Sequence, residues 1–348
     1  MEFEDKRPGR PGIAAELNQS RPPAGRKRRS SVYGVVLCLL LVAAGAVLLY
    51  RDMNRTCRHG IYRCEGGRML EMPVVPDSYK TAETASGIAA LAEKHPEIEQ
   101  YMMLIPSSGY MQRRFLPEGA PLRDQTGDLQ EIRAKMPSAL HWVDLVEVFS
   151  GHEGEKLYYA TDPHLTGWGS RYAARAALES MEAETVEGKD ECYLLSDSFE
   201  GRLAQDDTLI HRFLDRKAER IEIYVPENEV PYYRVDVTSD TWSGSLYDAA
   251  AVEGSDPLKV FFGGERPLTE IHTAAVNGRT LLVAGDTMAN TIVPMFVSSF
   301  EKIVFVHPSE YPAGMEKLIR KYQPTGILYI YGMNGFIQDR ALLHTLGR

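Results

Sequence analysis

Nineteen consecutive residues, Val32 to Tyr50, carry no charge (VYGVVLCLLLVAAGAVLLY). As a helix, a run of that length spans about 28 Å at about 1.5 Å per residue, close to the hydrocarbon thickness of a bilayer. A core helix of a water-soluble domain would ordinarily keep polar residues on one face, so the run reads as a transmembrane segment, residues 32–50. It divides the chain into a short basic head and a long remainder. Residues 1–31 hold eight Lys and Arg, four of them in Arg26-Lys27-Arg28-Arg29, interspersed with Pro and Gly. That composition predicts a disordered tail. Positive charge on this flank predicts a single-pass plasma-membrane protein with a cytoplasmic N-terminus and residues 51–348 outside. Arg51, Arg55 and Arg58 weaken the asymmetry without reversing it. Ala43-Ala44-Gly45-Ala46 offers small residues for signal cleavage, but the apolar run continues past them, which favours an uncleaved signal anchor.

The 348-residue chain is 44% apolar and 25% charged, ordinary for a globular protein with a sizeable core. A formal charge of −9 argues against a nucleic-acid partner. The four cysteines show no zinc spacing. Cys57 and Cys64 lie just beyond the span, where a disulfide is permitted. Closing so small a loop would stabilise little, and the sequence leaves that pairing open.

Residues 51–80 are basic and then Pro-containing with weak periodicity, and read as an extracellular stalk. Residues 81–348 read as one domain. Helical patterns over 82–95, 123–135, 170–183 and about 311–322 alternate with short apolar runs at 100–106, 141–145, 157–162, 280–284, 303–307 and 327–331, and KVFFGG (259–264) returns to the same pattern. Such alternation implies a parallel, doubly wound α/β sheet. Residues from about 190 to 257 differ: Tyr, Val, Ile and Thr are frequent and turn residues closely spaced. They predict a β-rich insertion with strands at 220–225 and 232–237.

The stretch RTLLVAGDTMANTIVPMF (279–296) predicts a buried strand broken by Gly285 and followed by a helix, short or kinked at Pro294. Asp286 and Thr287 suit the helix start, and capping alone would account for them. The same geometry also presents a hydroxyl at the carboxyl edge of a sheet, beside backbone N–H groups able to stabilise an oxyanion. Asp162 and His164 lie two apart at the end of another apolar run. In an extended segment their side chains share a side, and a carboxylate there orients an imidazole and raises its basicity; a solvated loop pair is the simpler alternative. None of the other histidines sits four residues from His164, so neither a metal site nor a cofactor is expected.

In order, YYATDPHLTGWGSRYA, KVFFGGERPL and LLVAGDTMANTIVPMF, with YMMLIPSSGYM, SLYDA and GILYIYGMNGF, resemble the bacterial DHHW proteins. Those are SGNH/GDSL hydrolase-like proteins related to the alginate O-acetyltransferases, and the match covers roughly residues 80–348. The resemblance implies an SGNH-type three-layer α/β sandwich. It gives Asp162 and His164 the acid and base places, and puts Thr287 where the family has a nucleophilic Ser. Asn290, the amides of Thr287 and Met288, the backbone at Gly263 and Gly264, and Asp286 beside the loop become the oxyanion or substrate-binding candidates.

This chain departs from the family pattern in three places. The four-letter motif reads Asp162-Pro163-His164-Leu165, keeping only Asp-x-His. The β-methyl of Thr287 crowds the attack path. Glu265 and Arg266 replace the Asn and His of the Gly-Gly-Asn-His-Pro block, and an ionised Glu accepts but cannot donate to an oxyanion. The resemblance therefore implies an acyl-ester hydrolase or O-acyltransferase, such as an O-acetyltransferase, acting on cell-envelope polysaccharide or another acylated glycan. The alternative is an inactive module of the same fold that binds a glycan or an envelope partner.

Overall fold

The computed structural model describes residues 28–53, 57–184, 189–205 and 218–347. The expected disordered tail at 1–31 falls almost wholly outside the described residues, as do parts of the expected stalk and insertion. The chain divides into two units, residues 1–55 and 56–348. The described residues of the first form the helix Arg28–Met53, whose segment Val32–Tyr50 is long and apolar enough to cross a membrane or to act as a signal sequence.

The second unit contains strands β1 (Cys57–Arg58), β2 (Ile61–Arg63), β3 (Met69–Glu71), β4 (Glu99–Ile105), β5 (Leu140–Val143), β6 (Asp190–Phe199), β7 (Glu219–Pro226), β8 (Tyr232–Asp236), β9 (Thr241–Ser243), β10 (Leu268–Thr273), β11 (Thr280–Gly285), β12 (Lys302–Val306) and β13 (Gly326–Gly332). Eight of them form one sheet in the order β5-β4-β13-β11-β12-β10-β8-β9. The first five are parallel. From β12 through β10 and β8 to β9 the pairing is antiparallel, so the sheet is mixed, where the sequence predicts a parallel one.

Alternate residues of the central strands feed two cores. Met103, Ile105, Val283, Phe305 and Ile330 face helix Gly167–Ser180 and the turns after β11. Met102, Leu104, Leu282, Val304 and Tyr329 face helices Ser78–Lys94, Gln125–Lys135 and Met315–Tyr322. This is the three-layer sandwich. Burial on both faces is why these strands read as unbroken apolar runs.

Several expectations need correction. The expected stalk is largely folded: β1–β3 form a small antiparallel sheet in which Tyr62, Cys64 and Leu70 are buried, and the Met69 amide donates to the Ala160 carbonyl at 2.7 Å. Cys57 and Cys64, whose pairing the sequence leaves open, form no disulfide here. In the insertion the two expected strands are β7 and β8; among the described residues β6 and β7 pair with each other, whereas β8 and β9 extend the main sheet. Leu157–Asp162 forms no ladder strand, only the bridge Tyr158–Leu165; its apolar residues are buried in the core without sheet pairing. KVFFGG likewise begins in a 3₁₀ turn, Pro257–Val260.

Candidate active site

Strand β11 is followed by two 3₁₀ turns, Thr287–Thr291 and Val293–Phe296, rather than the expected α-helix. Pro294 opens the second turn, where its missing N–H is tolerated. The tight entry depends on Gly285: a Cβ there would lie 2.6 Å from Ala289 Cβ and 2.7 Å from the Ile330 carbonyl oxygen. Asp286 secures the turn on two sides. Its Oδ1 accepts from the Met288 amide at 3.0 Å, and its Oδ2 from the Gly332 amide at the end of β13 at 2.9 Å. Burial pushes the Asp286 carboxyl up to about 7, against the opposing pull of those amides and of His164.

The partner groups come from the loop after Tyr158. Asp162 Oδ1 accepts from both the backbone amide (3.0 Å) and Nδ1 (2.6 Å) of His164, a closed Asx-type turn rather than an extended segment. Asp162 Oδ2 accepts from the Arg202 amide at 2.9 Å. Burial pushes this carboxyl up, but the imidazole and the two amides outweigh it and hold Asp162 below its usual value. With the ionised carboxylate on Nδ1, the neutral ring carries its proton there and leaves the Nε2 lone pair free to accept. Nε2 lies 2.9 Å from Thr287 Oγ1. Residues 123 positions apart thus complete an Asp–His–Thr chain at the carboxyl edge of the sheet. In it the hydroxyl is a potential nucleophile, the imidazole its base and the carboxylate the group that orients the imidazole.

Three further contacts had no signature in the sequence. Glu219, at the start of β7, accepts from the amides of Ala160 (2.6 Å) and Thr161 (2.9 Å) and from the Thr161 hydroxyl (2.6 Å). Gly201 approaches so closely that a Cβ would lie 2.3 Å from the Thr161 carbonyl oxygen. Ser170 donates to Thr291 Oγ1 at 2.8 Å, joining the helix behind His164 to the turn that holds Thr287.

The oxyanion candidates are placed unequally. Asn290 is buried beside the triad, lines its cleft, and leaves Oδ1 without a partner among the described residues. Exchanging the two ends of such an amide would turn a donor to the same spot. The Met288 amide is bonded to Asp286 and the Gly264 amide donates to the Phe261 carbonyl at 3.0 Å, so neither is free to donate as the sequence suggested. Gly263 is not among the lining residues, and Asp286 faces Gly332 and Met288 as an acceptor. Phe262, Gly263 and Gly264 all have positive φ, at 61°, 73° and 95°. Left-handed backbone at a Phe is strained by about 1–3 kcal/mol. Arg266 helps to hold it, donating from Nε to the Phe262 carbonyl at 3.2 Å, which gives a structural use to one of the family replacements. Glu265 faces the cleft.

Residues 76–252 match the family model described as SGNH hydrolase-like domain, acetyltransferase AlgX. The chain belongs to this family. The matched span includes Asp162 and His164 and ends before Thr287. Among solved structures, a DHHW family protein from Eubacterium siraeum is similar at 20% identity and a TM-score of 0.70, over 83% of this chain and 95% of that one. Bacillus cereus PatB1 with a sulfonyl adduct is similar at 19% identity and a TM-score of 0.67, over 82% of this chain and 97% of that one. The O-acetyltransferase domain of Pseudomonas putida AlgJ is similar at 12% identity and a TM-score of 0.50, over 81% and 94%. At these identities the likenesses establish the SGNH-type fold. No curated protein matches the sequence.

Proposed function

We propose that the protein is a membrane-anchored acyl-ester hydrolase or O-acyltransferase acting on acylated cell-envelope polysaccharide, with Thr287 as nucleophile, His164 as general base and acid, and Asp162 as the group that orients His164. The observation that carries the reading is the 2.9 Å contact between His164 Nε2 and Thr287 Oγ1, in line with the 2.6 Å contact to Asp162. Thr287 Oγ1 would attack the ester carbonyl as its proton passes to His164. The leaving alcohol would take that proton, and a second hydroxyl or water would then release the acyl group by the same steps reversed. Asn290 and the Thr287 amide are the donors left to stabilise the oxyanion. Membership of an acetyltransferase-type family and the likeness to the AlgJ O-acetyltransferase domain support acyl chemistry. The segment 32–50, behind a basic flank, supports an anchor with the domain outside the cell. Protease added to intact cells should remove the domain while cytoplasmic proteins survive.

A second reading is a catalytically inactive module that binds a glycan or envelope partner through the same cleft. Glu265 favours it, since a carboxylate lines the cleft where the family supplies a donor. The decisive experiment measures turnover of 4-nitrophenyl acetate by the full-length protein in detergent. Turnover lost in both His164→Ala and Thr287→Ala supports the enzyme, whereas turnover indifferent to both changes, or none with any short acyl ester, leaves the binding module.

A further inference from the structure

Thr287 borders two clefts. The larger, of about 430 Å³, includes His164, Asn290 and Lys259. The smaller, of about 290 Å³, includes Met288, Asn334, Ser107 and His307. Thr287, Arg202 and Glu265 line both, while His164 and Asn290 line only the larger.

An ester carbon attacked by Thr287 Oγ1 must dispose of three other substituents. The alcohol oxygen exchanges its proton with His164 Nε2, so the alcohol sits in the larger cleft, both when it leaves and when an acceptor arrives. The developing oxyanion needs a donor, and Asn290 is also on that side. The acyl chain is left with the direction of the smaller cleft. Building on the acyl-transfer reading above, we infer that the smaller cleft is an acyl subsite, and that the transferred group is longer than acetyl and carries a hydrogen-bonding substituent such as a hydroxyl.

Size and chemistry both favour this. A cleft of 290 Å³ is about ten times the roughly 30 Å³ share of one water, so an acetyl methyl would leave most of it wet. The walls are about half polar and half apolar, suited to a short chain that carries a polar group. Glu71 and Asn334 are joined at 3.1 Å, and His307, which lines the same cleft, has a buried Nε2 with no partner among the described residues. Burial lowers His307 to about 4, so it is neutral near pH 7, able to meet a donor or an acceptor but not a charge-driven anion site. In the transfer, the ester bond to the first alcohol breaks as the bond to Thr287 forms. The proton leaves Thr287 for His164 and ends on that alcohol; the incoming hydroxyl reverses each step.

The test compares kcat/KM of the full-length protein in detergent for the 4-nitrophenyl esters of acetate, butyrate and 3-hydroxybutyrate. The hydroxyacyl ester should exceed the acetate by about tenfold or more, with butyrate between them. Gln338 and Ser309 line the smaller cleft and are exposed, so Gln338→Trp and Ser309→Trp should fold and lower that ratio. Ser255, exposed on the larger cleft, provides the contrast: Ser255→Trp should alter dependence on the leaving alcohol and not the acyl ratio. Acetate as the fastest ester, or tryptophan variants of the smaller cleft that slow all three esters equally, would overturn the acyl subsite while leaving the esterase intact. No nitrophenolate from any ester by the folded protein would instead remove the acyl-transfer reading itself.

Discussion

The two loops that meet at the site are held in opposite ways. The Thr287 turn grows directly out of β11, in the middle of the parallel sheet, and Asp286 ties it to β13, the adjacent strand. The Asp162–His164 loop leaves no strand of the main sheet. It is held by parts of the insertion: Glu219, Gly201 and the amide of Arg202. The two aspartates carry the same contrast. Asp162 is kept ionised by His164 and backbone donors, whereas burial drives Asp286 towards the neutral form. The nucleophile side is thus fixed by the fold, and the acid–base side by an addition to it. Under the proposed function, the insertion would position the acid–base pair without supplying a reacting atom.

The largest effect should come from removing the group the two loops share. His164→Ala should lower ester turnover by about 10²–10⁴-fold and also lower the melting temperature, since Asp162 stays buried without its imidazole partner; a folded variant whose activity persists would remove His164 from the chemistry. Glu219→Ala tests the insertion side. It frees two amides and a hydroxyl beside Asp162, and a displacement of about 1 Å there should lower kcat by about 100-fold with KM nearly constant. Glu219→Gln should recover part of the loss, because one of its oxygens can still accept. If Glu219→Ala changes KM alone, the loop does not depend on the insertion for its alignment.

Acid and base should separate the two sides in stability. Asp286 has a raised carboxyl, so the folded state holds its proton more tightly, and stability falls as pH rises from about 4, the unfolded value, towards about 7. Asp162 has a lowered one: its contribution is present above about 4 and is lost as pH falls below it. Urea midpoints of the wild type and Asp286→Asn across pH 4.5 to 7.5 (about the range where Asp286 titrates) should show a flatter slope in the variant. Identical slopes would mean Asp286 does not titrate there.

The smallest change concerns the nucleophile. Thr287→Ser removes one crowding methyl and should raise turnover by up to about tenfold. If the missing donor is the larger deficit, Ser alone will do little, and the added Glu265→Asn should be needed for a gain of about 100-fold. Every gain should vanish in a His164→Ala background; wild type, single and double variants that all fold and all stay inert would favour the binding module.

What could be read in the sequence follows from the same division. Strands β4, β11, β12 and β13 are buried on both faces, and their unbroken apolar runs marked them within a residue or two. Strand β10, Leu-Thr-Glu-Ile-His-Thr, has only two apolar residues, three apart, and gave no such run, which hid the antiparallel half of the sheet. Leu157–Asp162 misled for the converse reason: burial alone made it look like a strand. Thr287, His164 and Asp162 were found through ordered motifs, not periodicity. Glu219 left no trace, because a lone acidic residue acquires meaning only from partners 58 and 59 positions away.

The central position of β13 has a consequence for how the protein is made. It lies between β4 and β11, yet among the described strands it is the last in the sequence. The turn bearing Thr287 leans on it through Asp286 and Gly285, so until residues 326–332 are in place that turn lacks one wall. A chain synthesised from its N-terminus therefore completes the triad's own residues long before it can hold them together. Partial products that stop before residue 326 would carry Asp162, His164 and Thr287 but lack the strand on which the Thr287 turn rests.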